Sequence, residues 1–128
     1  MKRANLNKNI TPGKENYLKV LLELSGGKEV RSNDVAEALG ITRASVSRMM
    51  KRLRDEGYIV KEKYGAVTLT EKGFEEAADV KRRYNLLKLL FVRILGVDTV
   101  TAAKDACRIE HIISPESISK IDEQLKCF

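Results

Sequence analysis

The chain has 128 residues, of which 43% are hydrophobic and 33% are charged, a balance that is typical of globular proteins and excludes an intrinsically disordered one. This length suits one compact domain or two small ones that share a core. No apolar run reaches the length needed to span a membrane, and the amino terminus lacks the apolar segment of a secretory signal. We therefore expect a cytoplasmic protein with no membrane partner.

The net charge of +6 is distributed unevenly. Residues 1–64 hold 14 Lys and Arg against 8 Asp and Glu, a difference of +6, whereas residues 65–128 hold 10 of each and balance to 0. A basic excess confined to one half indicates a polyanionic partner for that half, although a solvated basic surface gives the same count.

The first ten residues carry three basic side chains and no acidic one, and because they lack an apolar period they are predicted to form a flexible arm. Thr11 and Pro12 form the signature of a helix amino terminus, which is a capping residue followed by proline at the first helical position. Apolar residues at helical spacing continue to Leu24, and the segment Ser25-Gly26-Gly27 ends this helix.

Two helices separated by a tight turn follow. A capping residue within residues 32–34 is predicted to begin the first, which runs to Leu39. Gly40 suits the left-handed conformation that closes such a helix. Thr42 caps the second, in which apolar residues recur at spacings of three and four until Gly57 ends it.

A hairpin and a long helix come next. β-type residues at 58–60 and 67–69 flank a short turn, which is typical of two antiparallel strands. Thr70 then caps a helix that is predicted to run to Leu95 and to close at Gly96.

Two further helices complete the chain. Asp98 or Thr99 opens the first, which is predicted to continue through His111, and Ser114 caps the second. The order predicts a mainly α protein. A winged helix-turn-helix at residues 11–72 follows the arm at residues 1–10, and an all-helical domain occupies residues 73–128.

Residues 35–49 have the construction of a helix-turn-helix, whose second helix enters the major groove of DNA. Ala36 is small where two helices approach closely, Gly40 supplies the turn, and Ile41 and Val46 fill the corner between the helices. With the hairpin as a wing, the segment predicts binding to a double-stranded DNA operator. The other interpretation is a helical hairpin with a solvated basic face.

The predicted DNA contacts are hydroxyl and basic side chains that point outward from the second helix or lie in the wing. Short hydroxyls at a helix start contact phosphates or base edges without steric cost, and an arginine there forms a bidentate contact with guanine. These residues are Thr42, Arg43, Ser45, Ser47, Arg48, Lys51, Arg52, Lys61 and Lys63.

With these elements in place, the chain resembles the metalloregulators of the diphtheria toxin repressor and manganese transport regulator family over about residues 12–125. The matching segments are DVAEAL at 34–39, SVSRMMKRL at 45–53, LTEKG at 69–73, LGVD at 95–98 and CRIEHIIS at 107–114. Winged helices are abundant, so the last two segments carry the resemblance. The chain stops where longer members continue into an SH3-like domain, which is typical of the short, two-domain type.

The resemblance implies a transcriptional repressor that forms a homodimer through its last helices and binds a divalent metal between these and the first helix. It implies four ligands: Cys107, Glu110 and His111, which share one side of a helix, and Asn16 on the first helix. A thiolate, a carboxylate and an imidazole together suit a transition metal better than magnesium or calcium. One Fe²⁺, Mn²⁺ or Zn²⁺ ion per protomer is therefore expected.

Three positions depart from the family pattern. Lys19 replaces a second carboxylate of the first helix, Tyr84 or Asn85 replaces a ligand histidine, and Lys88 lies at or near an acidic ligand position. A protonated lysine does not ligate a metal and opposes a nearby divalent ion. We therefore expect that the second metal site is lost, with the Lys19 ammonium taking its place by pairing with Glu110 or another acid.

Other functions were weighed against this one. Cys107 can instead be a small apolar residue, with Glu110 and His111 as a structural pair. The protein would then be a repressor that has lost metal control and that binds DNA constitutively or responds to oxidation of the Cys107 thiol. An enzyme with Cys107 as nucleophile and His111 as base is rejected, because the two lie four residues apart on one helix and the chain has no Gly-rich phosphate loop. A winged helix that binds only protein is disfavoured by the Arg- and Ser-rich second helix.

Overall fold

The computed structural model describes residues 10–26, 29–62 and 65–127. Apart from Ile10, the predicted arm lies outside these residues. The helices are α1 (Pro12–Leu24), α2 (Ser32–Leu39), α3 (Arg43–Asp55), α4 (Glu71–Leu89), α5 (Thr99–Ile109) and α6 (Pro115–Leu125), and the strands are β1 (Val30–Arg31), β2 (Ile59–Lys61) and β3 (Ala66–Leu69). The predicted mainly α fold with a winged helix-turn-helix is confirmed.

The chain forms two compact units that divide within α4. The amino-terminal unit ends at Ala78, and the carboxy-terminal unit begins at Asp79. The domain boundary predicted between residues 72 and 73 lies inside α4 and stays a prediction. No helix among residues 10–26, 29–62 and 65–127 is long and apolar enough to cross a membrane.

The wing is larger than the predicted hairpin. β3 lies at the centre of an antiparallel sheet with the strand order β1-β3-β2, in which Val30 pairs with Val67 and Ile59 pairs with Leu69. The sequence analysis missed β1, because a strand of two residues has no alternating pattern to detect and its partner is distant in the chain.

The helix α2 begins with a different cap from the one predicted. Its capping residue is Arg31, not a residue within 32–34. Arg31 still pairs with Ala66 in the sheet, so the backbone stays extended up to the first helical residue. Asp34 then accepts a hydrogen bond from the Arg31 backbone N–H at 2.9 Å. Gly40 closes the helix with φ of 66°, as predicted.

The core of the amino-terminal unit lies between its helices and the sheet. Apolar residues at helical spacing on α1 and α3 supply most of it, which is the reason that these segments fold as amphipathic helices. The buried side chains include Tyr17, Leu18, Leu21, Val30, Val35, Val46, Met50, Leu53, Tyr58, Ile59 and Val67.

In the carboxy-terminal unit the long helix changes type near its end, and α5 ends earlier than predicted. The α-helical part of the long helix stops at Leu89 and continues as a π-helical segment, Leu90–Ile94, before Gly96 closes it. The helix α5 is capped by Asp98 and ends at Ile109, two residues before His111. The chain turns there because the N–H groups of Ile112 and Ile113 both donate to the Ile109 carbonyl, each at 3.0 Å.

The start of α4 packs directly on the backbone that leads into β2. The Thr70 N–H donates to the Tyr58 carbonyl at 3.0 Å, and the Thr70 hydroxyl donates to the Gly57 carbonyl at 2.6 Å. The Gly73 N–H in turn donates to Thr70 Oγ1 at 3.1 Å. A Cβ atom on Gly73 would lie 2.0 Å from the Tyr58 carbonyl oxygen, so the helix can approach this closely only with glycine here.

Gly73→Ala is expected to destabilise the protein by about 1–3 kcal/mol, because the added methyl group forces α4 away from the Tyr58 carbonyl. Thermal unfolding followed by circular dichroism measures the loss. Gly13→Ala in α1 is the control, since its nearest heavy atom outside the local backbone is 3.9 Å from the added Cβ and alanine favours a helix. Equal midpoints for the two variants would contradict this packing argument.

A pH dependence is expected from the cap of α5. Hydrogen bonds from the Thr101 hydroxyl at 2.7 Å and the Thr101 N–H at 3.0 Å lower the pKa of Asp98 below its usual 3.8. The pKa in the folded state is therefore below that in the unfolded state. The ionised carboxylate stabilises α5 above pH 3.8, and this contribution is lost as the pH falls through the folded pKa.

The unfolding midpoint of Asp98→Ala should therefore lie below that of the wild type at neutral pH, with a gap that narrows in acid. Asp98→Asn is the matched control, because an amide caps a helix without titrating in this range. The difference between the unfolding midpoints of Asp98→Asn and Asp98→Ala should change less with pH. If the difference between the unfolding midpoints of the wild type and Asp98→Ala stays constant from neutral pH into acid, the carboxylate charge contributes nothing to stability.

Candidate nucleic-acid interface and metal centre

The helix α3 presents one apolar and one basic face. Val46, Met50 and Leu53 are buried, and the outward side carries five basic residues against the single acidic Asp55. Among the predicted DNA contacts, Ser45 is half-buried and Lys63 lies outside the described residues. The others are exposed, namely Thr42, Arg43, Ser47, Arg48, Lys51, Arg52 and Lys61.

We call the exposed basic face of α3 the reading surface, and hydrogen bonds organise its first turn. Thr42 caps α3, and its Oγ1 accepts from the Ser45 N–H at 3.1 Å while lying 3.1 Å from Ser45 Oγ. Arg48 Nη2 donates to Ser45 Oγ at 3.4 Å. The two hydroxyls and the guanidinium are thus held together on one side of the helix, where a bidentate arginine contact to a base can form.

The charge of Arg48 acts on a side chain of α1. Burial raises the pKa of the Tyr17 hydroxyl, and the positive charge of Arg48 opposes that rise. Tyr17 is 8% exposed. No sequence pattern predicts this electrostatic interaction, because the two residues lie on separate helices.

The opposite end of α3 is tied to two other helices. Glu56 follows the last residue of α3, and its carboxylate oxygens lie 2.7 and 2.9 Å from the Nζ of Lys14 on α1. Lys72 of α4 donates to the Glu56 backbone carbonyl at 2.8 Å and lies 4.4 Å from the centroid of the Tyr58 ring. We call Lys14, Glu56 and Lys72 the Glu56 junction. A lysine ammonium at the carbonyl end of a helix is also favoured by the helix dipole.

In the carboxy-terminal unit, the structure brings together two of the predicted metal ligands. Glu110 is fully buried, and its Oε2 lies 3.1 Å from Nε2 of His111. Both follow the last residue of α5. Cys107, one turn earlier, is an exposed free thiol. That Cys107 shares a site with Glu110 and His111 stays a prediction.

A residue that the sequence analysis missed anchors this turn. Arg83 of α4 donates from Nη1 to the Glu110 backbone carbonyl, and its Nε lies 3.3 Å from the Asp79 carboxylate one turn earlier. Both side chains of this ion pair are largely buried, at 12% and 16% exposed. The four-residue spacing of Asp79 and Arg83 predicts their pairing on a helix, but the third partner comes from the turn after α5.

The remaining predicted metal-site residues belong to other parts of the fold. Asn16 is half-buried on α1 in the amino-terminal unit, and Lys19 is 8% exposed on the same helix. Asn85 is exposed on α4, whereas Lys88 is half-buried. The participation of Asn16, and the pairing of Lys19 with Glu110, stay predictions.

The chemistry of the turn after α5 fits a transition metal. A buried carboxylate beside an imidazole is a donor pair that such ions prefer, and a thiol one turn away adds a soft donor. Within residues 10–26, 29–62 and 65–127, the structure places no group of three or more His, Cys, Asp or Glu side chains so that it holds a metal ion. Glu110 and His111 by themselves supply two donors, and the full ligand set stays a prediction.

Two family models cover nearly the whole chain. Residues 9–67 match the N-terminal DNA-binding domain of the iron-dependent repressors, and residues 70–128 match their metal-binding and dimerisation domain. The first match contains all of α3, β1 and β2 and the first two residues of β3, and the second contains all of α4, α5 and α6.

Individual proteins are similar along most of their length. An uncharacterised helix-turn-helix transcriptional regulator of Methanocaldococcus jannaschii is 35% identical over 116 residues, which are 89% of this chain and 90% of the relative. The helix-turn-helix transcriptional regulator MntR of Lysinibacillus sphaericus is 38% identical over 112 residues, which are 87% of this chain and 80% of that one.

The fold is similar to that of a solved manganese-dependent transcriptional repressor in complex with manganese. The TM-score is 0.80 at 28% identity, and the match covers 88% of this chain. It covers 52% of the other chain, so this chain spans about half the length of that protein.

Proposed function

The chain belongs to the iron-dependent repressor family, and on that premise we propose that it is a homodimeric transcriptional repressor that binds DNA in response to a divalent transition metal. The observation that carries the proposal is that one chain has both an exposed basic face on α3 and a turn in which buried Glu110 lies beside His111. The function is one of binding and not of catalysis. A repressor acts where the chromosome is, which supports a cytoplasmic location.

DNA binding is assigned to α3 and the wing. Arg43, Arg48 and the hydroxyls near them lie at the amino-terminal half of α3, the part of a recognition helix that contacts base edges. Lys51, Arg52 and Lys61 are exposed further along α3 and on β2, where ammonium and guanidinium groups neutralise phosphates. Lys63 is kept in this set as a prediction from the sequence.

Dimerisation is assigned to the carboxy-terminal unit. Its exposed side chains include four large apolar ones, Leu89, Leu95, Val100 and Ile112, which are 37%, 60%, 65% and 78% exposed. An isologous interface is the usual way for a small protein to bury such side chains. A two-fold dimer reads a pseudo-palindromic operator, whose half-sites lie about 10 base pairs apart or a multiple of this.

The metal is assigned to Glu110, His111, Cys107 and Asn16, with one ion per protomer. When bound, the ion supplies a positive charge that draws donors from separate elements together. His111 offers a neutral imidazole nitrogen, Glu110 a buried charge and Cys107 a thiol that a metal deprotonates. The similar repressor solved with manganese supports a metal of the Mn²⁺, Fe²⁺ or Zn²⁺ class.

Two substitutions separate base contacts from phosphate contacts. Arg48→Ala is expected to lower the preference for operator over random DNA by about 1–3 kcal/mol, whereas Lys61→Ala weakens binding to both alike. Fluorescence anisotropy with a duplex selected from a randomised pool by the wild type, and with a scrambled duplex, measures both affinities. The salt dependence of binding should become shallower in Lys61→Ala. Equal losses of preference in both variants would refute these roles.

The metal assignment predicts at most one ion per protomer. Titration of the reduced protein with Fe²⁺ or Zn²⁺ measures the stoichiometry, and Cys107→Ser and His111→Ala should each weaken binding. Cys127→Ser is the matched control for the thiol, because Cys127 lies near the carboxy terminus, after α6. Two ions per protomer would show that the departures at Lys19 and Lys88 were misinterpreted. No bound ion together with intact operator binding would identify a metal-independent repressor.

A further inference from the structure

The carboxy-terminal end of α3 is the meeting point of three helices. Glu56 receives Lys14 from α1 on its carboxylate, with both oxygens within hydrogen-bond distance, and Lys72 from α4 on its backbone carbonyl. Lys14 is only 16% exposed, although Glu56 is 44% exposed. The lysine is therefore held against the protein, and its ammonium has one bidentate partner in this arrangement.

The two lysines come from separate helices. Lys14 lies on α1, two residues before Asn16, the proposed ligand on that helix. Lys72 lies in the first turn of α4. Since helices are stiff, a small displacement of α1 at Asn16 reaches the end of α3 through Lys14.

The ion pair also bears on the position of the reading surface. Lys14 on α1 contacts Glu56 at the end of α3, about two helical turns, ~12 Å, from Arg48. Because α3 is a stiff helix, a displacement of its end at Glu56 moves Arg48 as well.

We propose that Glu56 is a positioning residue for operator recognition, which holds α3 against α1 through Lys14, and that this ion pair carries part of the metal response to the DNA-reading surface. The inference rests on the proposed function and deepens it. The pair is partly exposed, and such pairs contribute a factor of about 2–5 in an equilibrium constant. An effect of that size on DNA recognition is therefore expected.

Four variants test the pair. Glu56→Gln and Lys14→Gln each remove one charge, the double variant K14Q/E56Q removes both, and K14E/E56K reverses them. Asp55→Asn is the matched control, because it makes the same charge change at the neighbouring residue, whose ion-pair partner is Arg54 of the same helix. The hydrogen bond from the Lys72 ammonium to the backbone carbonyl of residue 56 stays possible in all four variants.

Two quantities are measured for each variant by fluorescence anisotropy, together with the thermal midpoint. The first is the ratio of Kd for a scrambled duplex to Kd for the operator selected by the wild type. The second is the change in operator Kd between Mn²⁺ and a chelator. We expect each single variant to lower at least the second quantity about two- to fivefold relative to Asp55→Asn. The double variant K14Q/E56Q should lower these quantities no further than either single variant does, and K14E/E56K should recover part of the decrease.

Several results would overturn the inference. If Glu56→Gln equals Asp55→Asn in both quantities, the inference is refuted. A lower thermal midpoint with both quantities unchanged would make Glu56 merely structural. Additive losses in the double variant would show that the two residues act separately.

The proposed function fails by a different result. A wild type whose operator affinity is the same with Mn²⁺ and with chelator contradicts the metal response. In that case the ratio of scrambled to operator Kd alone decides the positioning role, and equal ratios for Glu56→Gln and Asp55→Asn overturn it.

Discussion

The close approach of α4 to the backbone at Tyr58 is the constraint on which the amino-terminal unit depends. A helix that starts at Glu71 is pressed so tightly onto the Tyr58 carbonyl that residue 73 has no room for a side chain. Thr70 satisfies the polar groups on both sides of this contact, through its N–H and its hydroxyl. Buried backbone groups must be paired, so this short segment fixes the end of α3, the start of β2 and the start of α4 relative to one another.

The reading helix therefore has a fixed base and an exposed face. Its apolar side packs into the core, and the Glu56 junction secures its last turn to α1 and α4. The basic residues stay exposed because their charges are costly to bury and because nothing in the core pairs with them. Rigid support beneath a solvated, positively charged surface suits a protein that must present several side chains to DNA in one register.

Arg83 gives the turn after α5 a similar support. Its guanidinium holds the Glu110 carbonyl and is itself oriented by Asp79. This fixed cation lies next to the position, Tyr84 or Asn85, at which the resemblance implies that a ligand histidine of the family has been replaced. The backbone of the Glu110–His111 turn is thus anchored by the protein itself, and a bound ion would act on the side chains of a turn that is already held in place.

Local chemistry determined much of this protein in advance. The helix caps at Thr11, Thr42 and Ser114 and the closing residue Gly40 were predicted from their own neighbourhoods, and Asp98 was one of two candidate caps of α5. Such predictions succeed because capping and left-handed turns depend on residues within one helical turn. The apolar periods likewise predicted the helices, and the exposed basic face of α3 followed from them.

Only the tertiary structure decided the rest, because the partners are far apart in the chain. The strand β1 exists through its pairing with β3, and the cap of α2 falls on Arg31 for that reason. The same holds for the ion pair between Lys14 and Glu56, 42 residues apart, and for the contact of Arg83 with Glu110, 27 residues apart. A pattern within one element records which side chains share a face, but not which other element that face will meet.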